Sequence, residues 1–128
     1  MRPILIIAFL FTFSFSCTEK PSKCSEIFIY HLVKIYNANH QPLILNSYYT
    51  INDATNDTLR LPKVTGDSSH FYPIISDTYN NQLTENVKSP FTFHGVINGD
   101  TIKSPYVFSF KKCHVTYESG ATTLVYIP

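Results

Sequence analysis

Five histidines, three cysteines and one Asn/Asp-rich loop carry most of the chemistry open to this 128-residue chain. A metal centre or a general base is the first thing His31, His40, His70, His94 and His114 suggest. No two of them stand at the i, i+2 or i, i+4 spacing that places half a ligand set on one strand or helix. A zinc site would therefore need the fold to assemble it, and His31 and His114 are the pair that could meet across two sheets. His31, His94 and His114 are also the candidates for the base of a hydrolase. Cys113-His114 pairs a thiol with an imidazole in sequence, but neighbours on a strand point to opposite faces and cannot hydrogen-bond side chain to side chain. With only four glycines, the chain has no nucleophile elbow, phosphate loop or dinucleotide fingerprint. Asn52, Asp53, Asn56 and Asp57 concentrate oxygen ligands as a calcium loop would, yet their spacing is not that of an EF-hand, and a solvated turn is the simpler reading. No catalytic residue, metal or cofactor is assigned. Tyr48, Tyr49, Phe71 and Tyr72, with Tyr79 nearby, flank loops where a sugar ring or peptide could stack. Since adjacent strand residues cannot both face inward, one of Tyr48 and Tyr49 must face solvent, an edge or a partner.

The N-terminus speaks to location. Met1-Arg2 precedes an uncharged, largely apolar run over residues 3–15, too short for a membrane span, which needs about 20 apolar residues. A small residue, Ser16, follows, then Cys17 and the polar stretch 18–23. This is the layout of a signal peptide over residues 1–16. The stretch resembles a bacterial lipobox, with Phe15 where a small residue is usual, and the resemblance implies cleavage before Cys17, lipidation of that thiol and a tether over residues 17–25. The alternatives are a soluble secreted protein or a Cys17 engaged in a disulfide. Acyl chains contribute about 0.8 kcal/mol per buried methylene, so several would hold the mature chain on a membrane without a transmembrane helix.

Cleavage would remove Arg2 and leave the basic residues in balance with the nine acidic ones. Nucleic acid is excluded as a partner, because no block or stripe of Lys/Arg exists to neutralise phosphates. If Cys17 carries lipid, Cys24 and Cys113 are an even pair in an oxidising compartment, where a disulfide is the expected state and two free buried thiols the alternative. Closing so long a loop restricts the unfolded chain by about 4 to 5 kcal/mol on an entropic account.

The elements that must position these groups are strands. Tyr, Phe, Val, Ile, Thr and Asn are abundant, alanine is rare and tryptophan absent, which favours short strands joined by turns. Strands are expected over residues 27–36 and 43–51, parted by the turn-forming 37–42. A short alternating run over 58–64 carries Pro62 and so belongs at an edge. After a turn at Gly66-Asp67 comes a strand at 71–76, and residues 77–89 look least structured. Asn98-Gly99, between 91–97 and 101–102, is the dipeptide of a tight hairpin. Alternation continues through Tyr106, Phe108 and Phe110, then Cys113, Val115 and Tyr117, and Ser119-Gly120 turns the chain into 122–127. Seven to eight strands at this spacing predict an antiparallel, Ig-like β-sandwich over residues 26–128, with the disulfide joining the segment before the first strand to the penultimate strand.

Residues 33–43, VKIYNANHQPL, and 104–120, SPYVFSFKKCHVTYESG, resemble the opening and closing strands of transthyretin-like or carboxypeptidase-regulatory-like sandwiches in small bacterial lipoproteins. That resemblance implies the fold and not an activity. The Tyr-Arg-Gly-Ser ending of the hydroxyisourate hydrolases of that fold is missing, since this chain ends Leu-Val-Tyr-Ile-Pro. Asn56-Asp57-Thr58 fits an N-glycosylation acceptor, and Asp57-Thr58-Leu59 and Asp100-Thr101-Ile102 resemble bacterial O-glycosylation sites. Together these features predict a non-enzymatic binding or accessory module of the cell envelope, tethered to the outer membrane or cell surface of a Gram-negative bacterium, with a protein or carbohydrate ligand. A structural subunit of an envelope or fimbria-like assembly, which would copurify with a partner, and a His-dependent hydrolase are the alternatives.

Overall fold

The computed structural model describes Cys24 and residues 27–64 and 70–128. The expected signal peptide over residues 1–16, Cys17 and the turn expected at Gly66-Asp67 lie outside the described residues. Eight strands form a two-sheet sandwich: β1 (Tyr30–Asn37), β2 (Ser47–Asn52), β3 (Thr58–Leu59), β4 (Phe71–Ser76), β5 (Ser89–Ile97), β6 (Asp100–Lys111), β7 (His114–Gly120) and β8 (Thr123–Tyr126), with a 3-10 helix at Asp77–Gln82. The smaller sheet has the order β4-β1-β8 and the larger β3-β2-β5-β6-β7. All pairs are antiparallel except β1 with β8, which run parallel. Sequence alternation shows which face a residue takes, not the direction of its partner strand, so this pair was not foreseeable.

Alternation builds the core. Val33 and Ile35 of β1 and Tyr72 and Ile75 of β4 face Phe91 and Phe93 of β5 and Tyr106 and Phe108 of β6, all fully or almost fully buried in one apolar cluster. Across the gap Tyr48 meets Tyr72 at 5.1 Å between ring centroids, and His31 meets Phe108 at 5.2 Å. Burying each such large side chain contributes about 1.5–3 kcal/mol. Apolar neighbours on both inner faces therefore hold the layers together.

The turns follow local chemistry. Asn98 and Gly99 have φ of 48° and 89°, as the tight β5–β6 hairpin requires. Asn37 folds the next turn by accepting the amides of Asn39 and Gln41 on its Oδ1, while His40 takes the positive φ of 57°. β2 begins four residues later than expected, because residues 43–46 cross between the sheets. The Leu43 amide donates to Ile35 of β1 and the Asn46 amide to Val96 of β5. Tyr72 anchors the crossing: its hydroxyl donates to the Leu43 carbonyl and accepts the Leu45 amide.

Cys24 and Cys113 form a disulfide with Cα atoms 5.2 Å apart, 89 residues apart in sequence. Cys113 sits in the turn between β6 and β7, one residue before the penultimate strand. It thus pins the segment ahead of β1 to the larger sheet. Reduction, or Cys24→Ser with Cys113→Ser, is expected to lower stability by roughly 2–4 kcal/mol, read as a lower midpoint in denaturant. At the end of β7, Gly120 has a φ of 139°, and a Cβ there would run into the Tyr106 ring. Gly120→Ala should destabilise by about 1–3 kcal/mol in the same assay, whereas Ser119→Ala beside it should change little.

Candidate functional site

Asp77 follows the last residue of β4 and is only 8% exposed. Its carboxylate gathers donors from three directions. Oδ1 accepts the Val115 amide at 2.8 Å; Oδ2 accepts the Ile29 amide at 3.0 Å and His114 Nδ1 at 2.7 Å. The Asp77 amide in turn donates to the Ile29 carbonyl. His31 Nε2 donates to the Val115 carbonyl at 2.8 Å, so that residue of β7 has both polar backbone groups bound by side chains of other elements. Burial alone would raise the Asp77 pKa, but the hydrogen bonds from His114, Val115 and Ile29 outweigh it and hold the group below its ordinary value.

His31 and His114 thus come to neighbouring positions, both serving the start of β7. An aspartate bonded to Nδ1 of a histidine is the arrangement that orients a catalytic base. Here the same carboxylate is also committed to two backbone amides from separate segments, which is the work of a structural clip. Among the described residues no group of three or more His, Cys, Asp or Glu is arranged to hold a metal ion. In the Asn/Asp loop, Asn52 Oδ1 accepts the Ala54 amide and Asp57 accepts the Thr55 hydroxyl within the turn, and Asp53 accepts the hydroxyl of Thr92 on β5.

The outer face of the larger sheet carries a closed stack. Tyr49 and His94 are cross-strand partners with rings 4.8 Å apart and 11° from parallel, and Arg60 lies 5.4 Å from the Tyr49 ring centroid. Lys103 pairs His94 on the other side. His94 is consequently 8% exposed, and burial, with the nearby Lys103 charge, lowers its pKa and favours the neutral ring.

The outer face of the smaller sheet is open. Val33 and Ile35 point inward, which turns Tyr30, Leu32, Lys34 and Tyr36 outward along β1. Phe28 packs on Tyr30 at 5.2 Å, Lys34 Nζ sits 5.0 Å from the Phe71 ring centroid, and His70 contacts both Phe71 and Tyr36. Beside Tyr30 and Leu32 lies a cleft of about 290 Å³, closed on its other side by Pro62, Lys63 and Val64. That volume is at the lower end of small-ligand sites. Of the aromatic residues singled out in the sequence, Tyr72 is buried with its hydroxyl fully engaged, and Tyr48 is turned into the core with its hydroxyl on the Leu61 carbonyl. Tyr49 and Phe71 do reach outer faces, but of different sheets, so the four do not form one platform. Sequence reasoning overlooked the outward residues of β1. Their signal was the alternation in residues 30–36, where outward positions are as apolar as inward ones.

Fold and surface together define a disulfide-stapled β-sandwich with one open aromatic face. Comparison with protein-family models, with curated proteins and with solved structures finds no match for this chain.

The depressed Asp77 pKa sets a pH dependence. Its stabilising contribution is complete above the pH at which an unfolded aspartate ionises, and is lost as pH falls through the lower folded-state value. Asp77→Ala should cost roughly 1–3 kcal/mol at neutral pH for each amide left unsatisfied. In urea titrations the gap between variant and wild type should close on acidification.

Proposed function

We propose that this protein is an exported, lipid-anchored binding or accessory module of the cell envelope that performs no catalysis. The observation that carries the binding reading is the open outer face of the smaller sheet, where Tyr30 is 44% exposed beside the cleft at Leu32 and Lys63. Exposed apolar residues gathered at a cleft favour recognition over a merely solvated surface. Export is supported by the Cys24–Cys113 disulfide, which persists in oxidising compartments. Anchoring is supported by Cys17 directly after a signal-like run, within the lipobox resemblance. Two-sheet packing and the polar turn between residues 37 and 42 support the likeness to transthyretin-like lipoproteins.

One observation favours the structural-subunit reading as a second: β8 is a four-residue edge strand paired only with β1, with Val125 on it 46% exposed and Ile127 just beyond it 75% exposed. An open strand edge can accept a partner strand. That reading requires a partner that copurifies after mild detergent extraction; a monodisperse monomer counts against it.

Mass spectrometry of the membrane-extracted protein should find acyl mass on Cys17 as the first residue. Cys17→Ser should release the protein from the membrane fraction. An unmodified N-terminus elsewhere would refute the anchor.

A further inference from the structure

The segment ahead of β1 holds apolar side chains out in water on a fixed backbone. Ile27 is 72% and Phe28 49% exposed, and the Phe28 ring packs 5.2 Å from that of Tyr30, itself exposed. Upstream of them Cys24 is bridged to Cys113. Downstream, the Ile29 amide donates to the Asp77 carboxylate and the Ile29 carbonyl accepts the Asp77 amide. Ile27 and Phe28 are thus presented at one end of the sandwich, the end of the β6–β7 turn that carries Cys113. The Asn98-Gly99 hairpin lies at the other end of β6, about 35 Å away at the rise of a strand. The same disulfide shortens the link to Cys17. The seven residue steps from Cys17 to Cys24 reach at most about 25 Å, against about 40 Å for the twelve steps to Ile29 that would part anchor and body if Cys24 were free. The headgroup layer of a bilayer takes up about 5–7 Å of that reach.

We propose that Ile27 and Phe28, with Tyr30 behind them, dock on the phospholipid bilayer that carries the Cys17 anchor, so that the disulfide end of the sandwich faces the membrane and the Asn98-Gly99 hairpin points away from it. This deepens the lipid-anchored reading and rests on it. An aliphatic and an aromatic side chain gain by leaving water for the acyl boundary, and a tyrosine beside them suits the headgroup level, where its ring is apolar and its hydroxyl stays wet. Two or three side chains are too few to hold the domain on a bilayer alone. The short link supplies the rest, because it keeps them at high effective concentration next to the surface. That link also selects lipid as the occupant. A diffusing protein or sugar must find these residues, whereas Cys24 is never more than about 25 Å from the acylated residue.

The chain contains no tryptophan, so a single introduced one reports its own surroundings. The test places Phe28→Trp, and as a control the exposed Thr101→Trp beside the far hairpin, in the full-length lipoprotein extracted from membranes. Each variant is reconstituted into phosphatidylethanolamine vesicles containing phosphatidylcholine brominated near the headgroup end of its acyl chains. Flotation of the same samples reads the anchor. The expected result is blue-shifted emission from Phe28→Trp that the bromines quench, and solvent-like, unquenched emission from Thr101→Trp. Adding Ile27→Asn should return the Phe28→Trp signal towards the solvent value, with circular dichroism unchanged. A protein that floats while both tryptophans stay solvent-like overturns the docking and leaves the anchor. Blue-shifted emission from Phe28→Trp without quenching means that a second copy or another protein covers it, and equal quenching of both tryptophans means that neither end faces the bilayer; each result overturns the proposal. A chain that does not float overturns anchor and docking together.

Discussion

A buried carboxylate is stable only where its lost hydration is replaced, and the placement of Asp77 obliges three parts of the chain to meet. Its partners are the Ile29 amide ahead of β1, the Val115 amide of β7 and the His114 ring beside it. Ile29 leads into the smaller sheet and β7 belongs to the larger, so one side chain ties the layers at one end of the sandwich. The disulfide acts at the same end, because Cys113 immediately precedes His114 and Cys24 lies just ahead of the segment that supplies Ile29. A covalent link limits how far the donors can separate in the unfolded chain, and the carboxylate then sets their register in the folded one. Apolar packing supplies the bulk of the stabilisation, but it is non-directional and would tolerate a sliding of one sheet on the other. The hydrogen bonds to Asp77 do not.

Much of the fold was legible wherever a local rule acts alone. Residues 71–76 form the strand their composition suggests and Asn98-Gly99 makes its hairpin, while the Cys24–Cys113 disulfide, which is not local, was expected only once Cys17 was set aside for lipidation. Reading failed where the cause is remote in sequence. Nothing in Asp-Thr-Tyr-Asn-Asn-Gln marks its first residue as the acceptor for donors 48 and 38 positions away, so the stretch looked structureless. Residues 43–46 are apolar enough for a strand, and only the buried Tyr72 hydroxyl reveals that they cross between layers. The candidate site was half visible. That one of Tyr48 and Tyr49 must turn outward followed from the pleat, but which one depends on Tyr48 finding Tyr72 across the core and Phe93 on the neighbouring strand of its own sheet.

The two outer faces solve the same problem differently. On the larger sheet, the aromatic pair Tyr49 and His94 is covered by its own neighbours, with Arg60 on one side and Lys103 on the other. On the smaller sheet, aromatic and aliphatic side chains are grouped around a cleft without such cover from strands. A three-stranded sheet has too few side chains to shield its own outward row, and the loop at 62–64 reaches only part of it. Width of sheet, as much as residue type, therefore separates a sealed face from a receptive one.

Edge strands tempt other chains to extend the sheet, and β7 lies at the border of the larger one. At Val115 both hydrogen-bonding groups of the backbone are already occupied, the amide by Asp77 and the carbonyl by His31. An intruding polypeptide would find its ladder missing a rung at that point. The clip that joins two layers thereby also guards a flank, discouraging unwanted sideways growth into aggregates.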